Sequence, residues 1–171
     1  MFEWLHEFAK ENTILPIGTI LHPTDFSDNS EFAFRLACAL ARDYHARLIL
    51  LHVLPPPMVV YAGGPVPAET GPSVEEAKEE LRRMERRPHH VRIESTVMEG
   101  DPVDMILRAA EETHSDVIVM GTHGRTGLRR LLMGSVAEQV VRKATCPVLT
   151  VRTPVQTLSL LPSAAEETVS N

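Results

Sequence analysis

Asp116-Val-Ile-Val-Met120 runs straight into Gly121-Thr-His123-Gly124-Arg125-Thr-Gly127-Leu-Arg-Arg-Leu-Leu-Met-Gly134-Ser135. After its leading aspartate the first stretch is wholly apolar. A short unbroken apolar run of this kind predicts a strand covered on both faces, as in a parallel sheet. Residues 121–134 then read as a loop, and 135–144 as a helix with Val136, Val140 and Val141 on its apolar side. Pro147-Val-Leu-Thr-Val151 follows as a last strand. Strand, glycine-rich loop, helix and strand in this order make the repeating unit of a parallel α/β sheet.

The loop has the chemistry of an anion site. Glycines let backbone amides approach a polyanion with no side chain between. Gly134-Ser135 at a helix start adds unpaired amides and the positive end of the helix dipole, and Ser135 adds a hydroxyl. Residues 124–143 hold Arg125, Arg129, Arg130, Arg142 and Lys143 against a single acid, Glu138. The pattern is neither G-x4-G-K-S/T nor G-x-G-x-x-G, so the P-loop and dinucleotide fingerprints are both absent. On spacing alone, the glycines either cradle phosphate or simply make turns.

The same alternation extends toward the N-terminus. Thr19-Ile-Leu-His-Pro23 is a short apolar strand, stopped by Thr24-Asp25-Phe-Ser-Asp28. Asp28 and Glu31 are spaced as a capping box, and Phe32, Leu36 and Leu40 repeat at helical spacing behind them. Arg47–Val53 is a second buried strand. Residues 54–72 hold six of the thirteen prolines, with Gly63, Gly64 and Gly71. They read as a long loop, and 55–72 are expected to be a mobile lid over the base and ribose. Ser73 and Glu76 form another capping box, Val91–Val97 alternates as an edge strand does, and Asp101-Pro102 opens a third helix. The expected organisation is an appended segment at 1–18, one α/β domain at 19–152 and a disordered tail at 153–171. In open α/β sheets ligands bind beyond the carboxyl ends of the strands. Residues 23–28, 53–57 and 121–135 converge there.

Composition narrows the function. Net charge is −6 over 171 residues, which argues against nucleic acid as the main partner. There is no apolar run of membrane-spanning length and no secretory leader pattern at the start, so a cytoplasmic protein is expected. Cys38 and Cys146 read as buried thiols. His22, His52 and His123 fall near strand ends, but their spacing matches no zinc pattern and no cysteine joins them. His22 and His52 read as ordinary, partly buried residues. His123 faces either phosphate or solvent. Asp25 either accepts from a ribose hydroxyl or turns the chain into the helix.

Gly121-x2-Gly124-x9-Gly134-Ser135 resembles the ATP-binding signature of the universal stress proteins. Val117–Gly124, Leu131–Val151 and Pro23-Thr-Asp-Phe-Ser27 are similar to that family in the same order, so the resemblance spans about residues 18–152. It implies a Rossmann-like three-layer fold of the adenine nucleotide alpha hydrolase type, with a five-stranded parallel sheet in the order 3-2-1-4-5. It implies a homodimer through Pro147, Val148, Leu149, Thr150 and Val151, an apolar edge that invites pairing. It places adenine and ribose near Pro23, Asp25, Val53, Met120 and Gly121, with Thr24 beside them. Phosphates would lie near Gly124, Gly134, Ser135 and Val136, with His123 and Arg125 from the same loop, and Mg²⁺ or Mn²⁺ would arrive with the ATP. Ala137 departs from members that have a hydroxyl there, which removes one phosphate bond. The expected function is an ATP-binding stress or signalling module. The alternatives are a slow ATPase or adenylyl-transfer enzyme, and a nucleotide-free dimeric scaffold.

Overall fold

Residues 16–56, 72–86, 90–122 and 134–152 are described by a computed structural model. The appended segment, most of the proline-rich loop, the body of the glycine-rich loop and the tail lie outside these residues. So do His123, Gly124 and Arg125.

Among the described residues, five strands and four helices alternate. They are β1 (Thr19–Pro23), α1 (Asp28–Tyr44), β2 (Arg47–Leu54), α2 (Val74–Glu85), β3 (Ile93–Glu99), α3 (Pro102–Glu112), β4 (Val117–Gly121), α4 (Ser135–Lys143) and β5 (Val148–Val151). The sheet is wholly parallel and ordered β3-β2-β1-β4-β5, the arrangement expected. Its layers follow from the period-two alternation of the strands. On one face Ile20, Leu48, Leu50 and Val119 pack on Phe34, Ala37 and Cys38 of α1 and on Leu81 and Met84 of α2. On the other, Leu21, Ile49, Leu51, Ile118 and Met120 pack on Val103, Ile106 and Ala110 of α3 and on Ala137 and Val140 of α4. With both faces covered, β1 is buried throughout, whereas β3 at the edge is only partly so.

The helix starts show where local chemistry suffices. Ser73 Oγ accepts from the Glu76 amide (3.2 Å) and Glu76 Oε2 accepts from the Ser73 amide (2.8 Å), the reciprocal box that was expected. Asp101 Oδ1 accepts from the amides of Val103 (2.9 Å) and Asp104 (3.2 Å), with Pro102 at the first helical position. The start of α1 differs from expectation. Ser27, not Asp28, is its N-cap, and Ser27 Oγ accepts from the Ser30 amide at 3.3 Å. Phe26 lies in the left-handed region at φ 63, so the chain turns one residue earlier than the acidic spacing implies.

At the amino ends of the strands, Asp116 Oδ2 accepts from the amides of Gly18 (2.8 Å) and Thr19 (2.9 Å), tying β1 to the start of β4. Arg47 donates through Nε to Thr19 Oγ1 (3.0 Å) and through Nη2 to the Thr113 carbonyl (2.9 Å). This closed end leaves the carboxyl end of the sheet for a ligand. Both cysteines are free thiols. Cys38 is buried, and burial pushes the half-buried Cys146 thiol up. Among the described residues no helix is long and apolar enough to cross a membrane.

Candidate functional site

Beyond the carboxyl ends of β1, β2 and β4 lies a cleft of about 460 Å³, within the range of small-molecule sites. Pro23, Thr24 and Asp25 form one wall, Val53 another, Met120 and Gly121 the third, and Gly134, Ser135 and Val136 the end. The structure thus brings together every expected site residue that it describes. Pro55 and Thr122, inside the expected 53–57 and 121–135, line the cleft too; sequence reasoning did not place Ser30, Leu51, His52, Pro72, Pro102 or Ile106 there. The prolines at 55 and 72 flank the long loop, and Pro102 opens α3 after β3. Their place there follows from the topology, a signal that was available. A smaller hollow of about 280 Å³ lies between β3 and α3 and is lined by Glu94 and Glu112, the wrong sign for an anion.

The anionic end of the cleft would be held by α4. Gly134 is its N-cap, with no side-chain capping bond. Its amide donates to the Thr122 carbonyl (2.7 Å), and its carbonyl accepts from the Glu138 amide (2.9 Å). Helical geometry leaves the amides of Ser135, Val136 and Ala137 without intrahelical acceptors. They sit at the positive end of the helix dipole and border the cleft. Two of the five cations counted in this region are elsewhere. Arg142 and Lys143 occupy the last turn of α4, and Arg142 is paired with Glu138 at 2.9 Å. At about 1.5 Å of rise per residue the far end of the helix is ~10 Å from its first turn. Among the described residues, Asp25 is the one charged side chain lining the cleft.

Glycine serves β4 differently from what its loop position suggests. A Cβ on Gly121 would stand 3.2 Å from the backbone carbon and oxygen of Asn29 and 3.4 Å from the Ser30 amide nitrogen. The end of β4 therefore presses on the first turn of α1, and packing alone disfavours a Cβ here. Gly134, by contrast, has φ −73, which any residue can adopt.

The Thr24–Ser27 turn is held at every residue. The Thr24 amide donates to the Leu51 carbonyl (2.8 Å), and Thr24 Oγ1 accepts from the Phe26 amide (3.1 Å) and from Ser30 Oγ (2.9 Å). Asp25 Oδ1 accepts from the Ser27 amide (3.1 Å) and hydroxyl (2.7 Å), so Asp25 is a turn-former. Two histidines meet this turn. His52 is 5% exposed; its Nδ1 donates to the Thr24 carbonyl (2.7 Å) and its ring stacks on Phe26 at 4.3 Å between centroids. His22 is fully enclosed. Its Nδ1 donates to the Val119 carbonyl (2.7 Å), its Nε2 lies 3.5 Å from Ser30 Oγ, and its ring lies 5.7 Å from that of Phe34. A carbonyl only accepts, so both rings hold their proton on Nδ1. Desolvation pushes the His22 pKa down to about 4, against smaller upward effects of the Val119 carbonyl, Asp25 and Glu31. The two imidazoles are thus more deeply buried and more specifically bonded than ordinary partly buried residues. Among the described residues no cluster of three or more His, Cys, Asp or Glu side chains could hold a metal.

Residues 16–152 match the model of the Universal stress protein family. Universal stress protein MJ0531 of Methanocaldococcus jannaschii is 37% identical over 143 residues, covering 79% of this chain and 82% of that protein. The solved structure of MJ0577, from the same organism, superposes with a TM-score of 0.67 at 28% identity, over 82% of this chain and 99% of that one. A universal stress protein from Archaeoglobus fulgidus, solved in complex with dAMP, gives a TM-score of 0.57 at 27% identity over 80% and 98%. The family match over residues 16–152, the identity to the relatives and the sheet order agree in one assignment: the chain belongs to the universal stress protein family.

Proposed function

We propose that the chain is a nucleotide-dependent stress-response module that binds ATP, with Mg²⁺ or Mn²⁺ carried in on the phosphates. The observation that supports this reading most is the uncapped first turn of α4 facing an apolar cleft. An adenine ring needs a dry slot, which Val53, Ile106 and Met120 supply. A ribose needs a nearby acceptor, which Asp25 supplies. Phosphates need donors that require no charge, and the Ser135, Val136 and Ala137 amides with the Ser135 hydroxyl supply them. The dAMP in the Archaeoglobus relative is an adenine nucleotide on the same fold. Alanine at 137 removes one hydroxyl donor, worth about 1.5–3 kcal/mol to a charged acceptor, so affinity is expected in the micromolar range or weaker. Pro147–Val151 would pair two copies of the chain edge to edge.

Binding without rapid turnover is the reading favoured. Phosphoryl transfer needs a positioned nucleophile and a side chain to orient it, and Asp25 Oδ1 is already engaged by Ser27. Titration calorimetry of the full chain with ATP and Mg²⁺ tests the proposal. Saturable heat with a stoichiometry near one per chain is expected, with hydrolysis below about 1 per second. No heat at millimolar ATP would refute it.

A further inference from the structure

We propose that His22 and His52 are positioning residues of the nucleotide site: on one face of the sheet, from neighbouring strands, they hold the Thr24–Ser27 turn in the shape that faces the ligand. This rests on the nucleotide reading given above and extends it to His52, which lines the cleft, and to His22 behind its wall.

The turn is strained. Phe26 at φ 63 is in a region that L-residues other than Asn, Asp and His rarely visit. Such a residue persists only where its surroundings over-determine it, and such residues cluster at ligand sites. Here the surroundings are imidazoles. His52 grips the turn twice, through the Thr24 carbonyl and through the stacked Phe26 ring. His22 acts through one intermediary. Its Nδ1–H is fixed on the Val119 carbonyl of β4, which sets the ring so that the bare Nε2 lies 3.5 Å from Ser30 Oγ; the one Ser30 proton goes to Thr24 Oγ1, so the imidazole limits where that hydroxyl sits by contact, not by a second hydrogen bond. Both paths end on Thr24, the residue between Pro23 and Asp25 in the cleft wall.

Packing alone does not account for this choice of side chain. Leucine or phenylalanine would fill either position without bringing a polar group into the core, and burying one unpaired is costly. An imidazole offers a flat ring that stacks and a single Nδ1–H that reaches a carbonyl at a set angle. β2 reaches His52 two residues beyond Leu50, the partner of His22 in the parallel register. The rings therefore follow one another along the same face, toward the end of the sheet where the cleft opens. The His52 bond fixes the backbone of the turn, the Ser30 bond fixes its Thr24 side chain, and Asp25 is aimed by the two together.

The test is ATP·Mg²⁺ calorimetry on the full chain and on His52→Leu and His52→Asn, with imidazole ¹⁵N NMR of the unmodified protein. Loss of one buried, oriented hydrogen bond is expected to weaken ATP binding by about tenfold in His52→Leu. The Asn amide occupies nearly the place of Nδ1–H, so His52→Asn should stay within about threefold of the unmodified chain. A residue that merely fills the core would give the opposite order, since Leu fills it better. The NMR spectrum should show both His22 and His52 protonated on Nδ1 at neutral pH. Unchanged affinity in His52→Leu, or either histidine protonated on Nε2, would overturn the positioning role alone. Absence of ATP binding by the unmodified chain would overturn the nucleotide reading and the positioning role with it. The NMR result stands even if His52→Leu does not fold.

Discussion

A fully enclosed imidazole makes the fold sensitive to acid. His22 titrates near 4 when folded and at 6.5 when exposed, so the unfolded chain takes up the proton first as pH falls. Stability is therefore unaffected by this residue above about pH 6.5 and falls as pH drops through the window to 4, by ~3 kcal/mol in all. Urea unfolding at pH 7 and pH 5 should differ by about 2 kcal/mol on this account, and His22→Asn should remove most of that difference. Gly121 gives a second prediction at the same scale. A Cβ there would press on backbone that cannot rotate aside, so Gly121→Ala should cost about 1–3 kcal/mol by chemical denaturation. Much at this scale was hidden from the sequence. Ser27 rather than Asp28 caps α1 because Phe26 turns left-handed, and Phe26 does so against a histidine 26 residues away in the chain. Sequence-local chemistry such as the Ser73–Glu76 box was legible, because both partners are in view together.

Among the elements, α4 concentrates the proposed binding chemistry in one turn. Asp at position 134 would adopt the observed φ and ψ, cap the helix with its own carboxylate and occupy the amides proposed for phosphate. Gly134→Asp is therefore expected to raise stability by a few tenths of a kcal/mol and to weaken ATP by at least tenfold. Thermal unfolding and calorimetry on one sample would read both effects, and tighter ATP binding would contradict the assignment. β1, β2 and β4 were legible as strands because burial on both faces leaves an unbroken apolar run. The positive field around the glycine-rich loop was overstated. Charges had been grouped by nearness in sequence, whereas a helix carries Arg142 and Lys143 away from its own first turn.

For the molecule as a whole, β5 is the edge at which two copies would assemble. It ends the sheet, and Leu149 on it is 39% exposed. The Ile118 amide donates to the Pro147 carbonyl and the Thr122 amide to the Val151 carbonyl. Parallel alternation then turns the amides of Val148 and Thr150 outward. Sedimentation at micromolar concentration should give a dimer, and Thr150→Pro, which removes one outward amide while sparing the bonds to β4, should give a monomer. A monomeric unmodified chain would refute the pairing. Strand order also has a consequence for synthesis. β1 is made first and lies at the centre, but its β4 partner is 97 residues away. A nascent chain can pair β1 with β2 early, yet one edge of its most deeply buried strand stays open to water and to other chains until most of the domain has left the ribosome. The stretch that completes the sheet also brings α4, so a growing chain acquires its proposed phosphate-binding turn only as it closes its core.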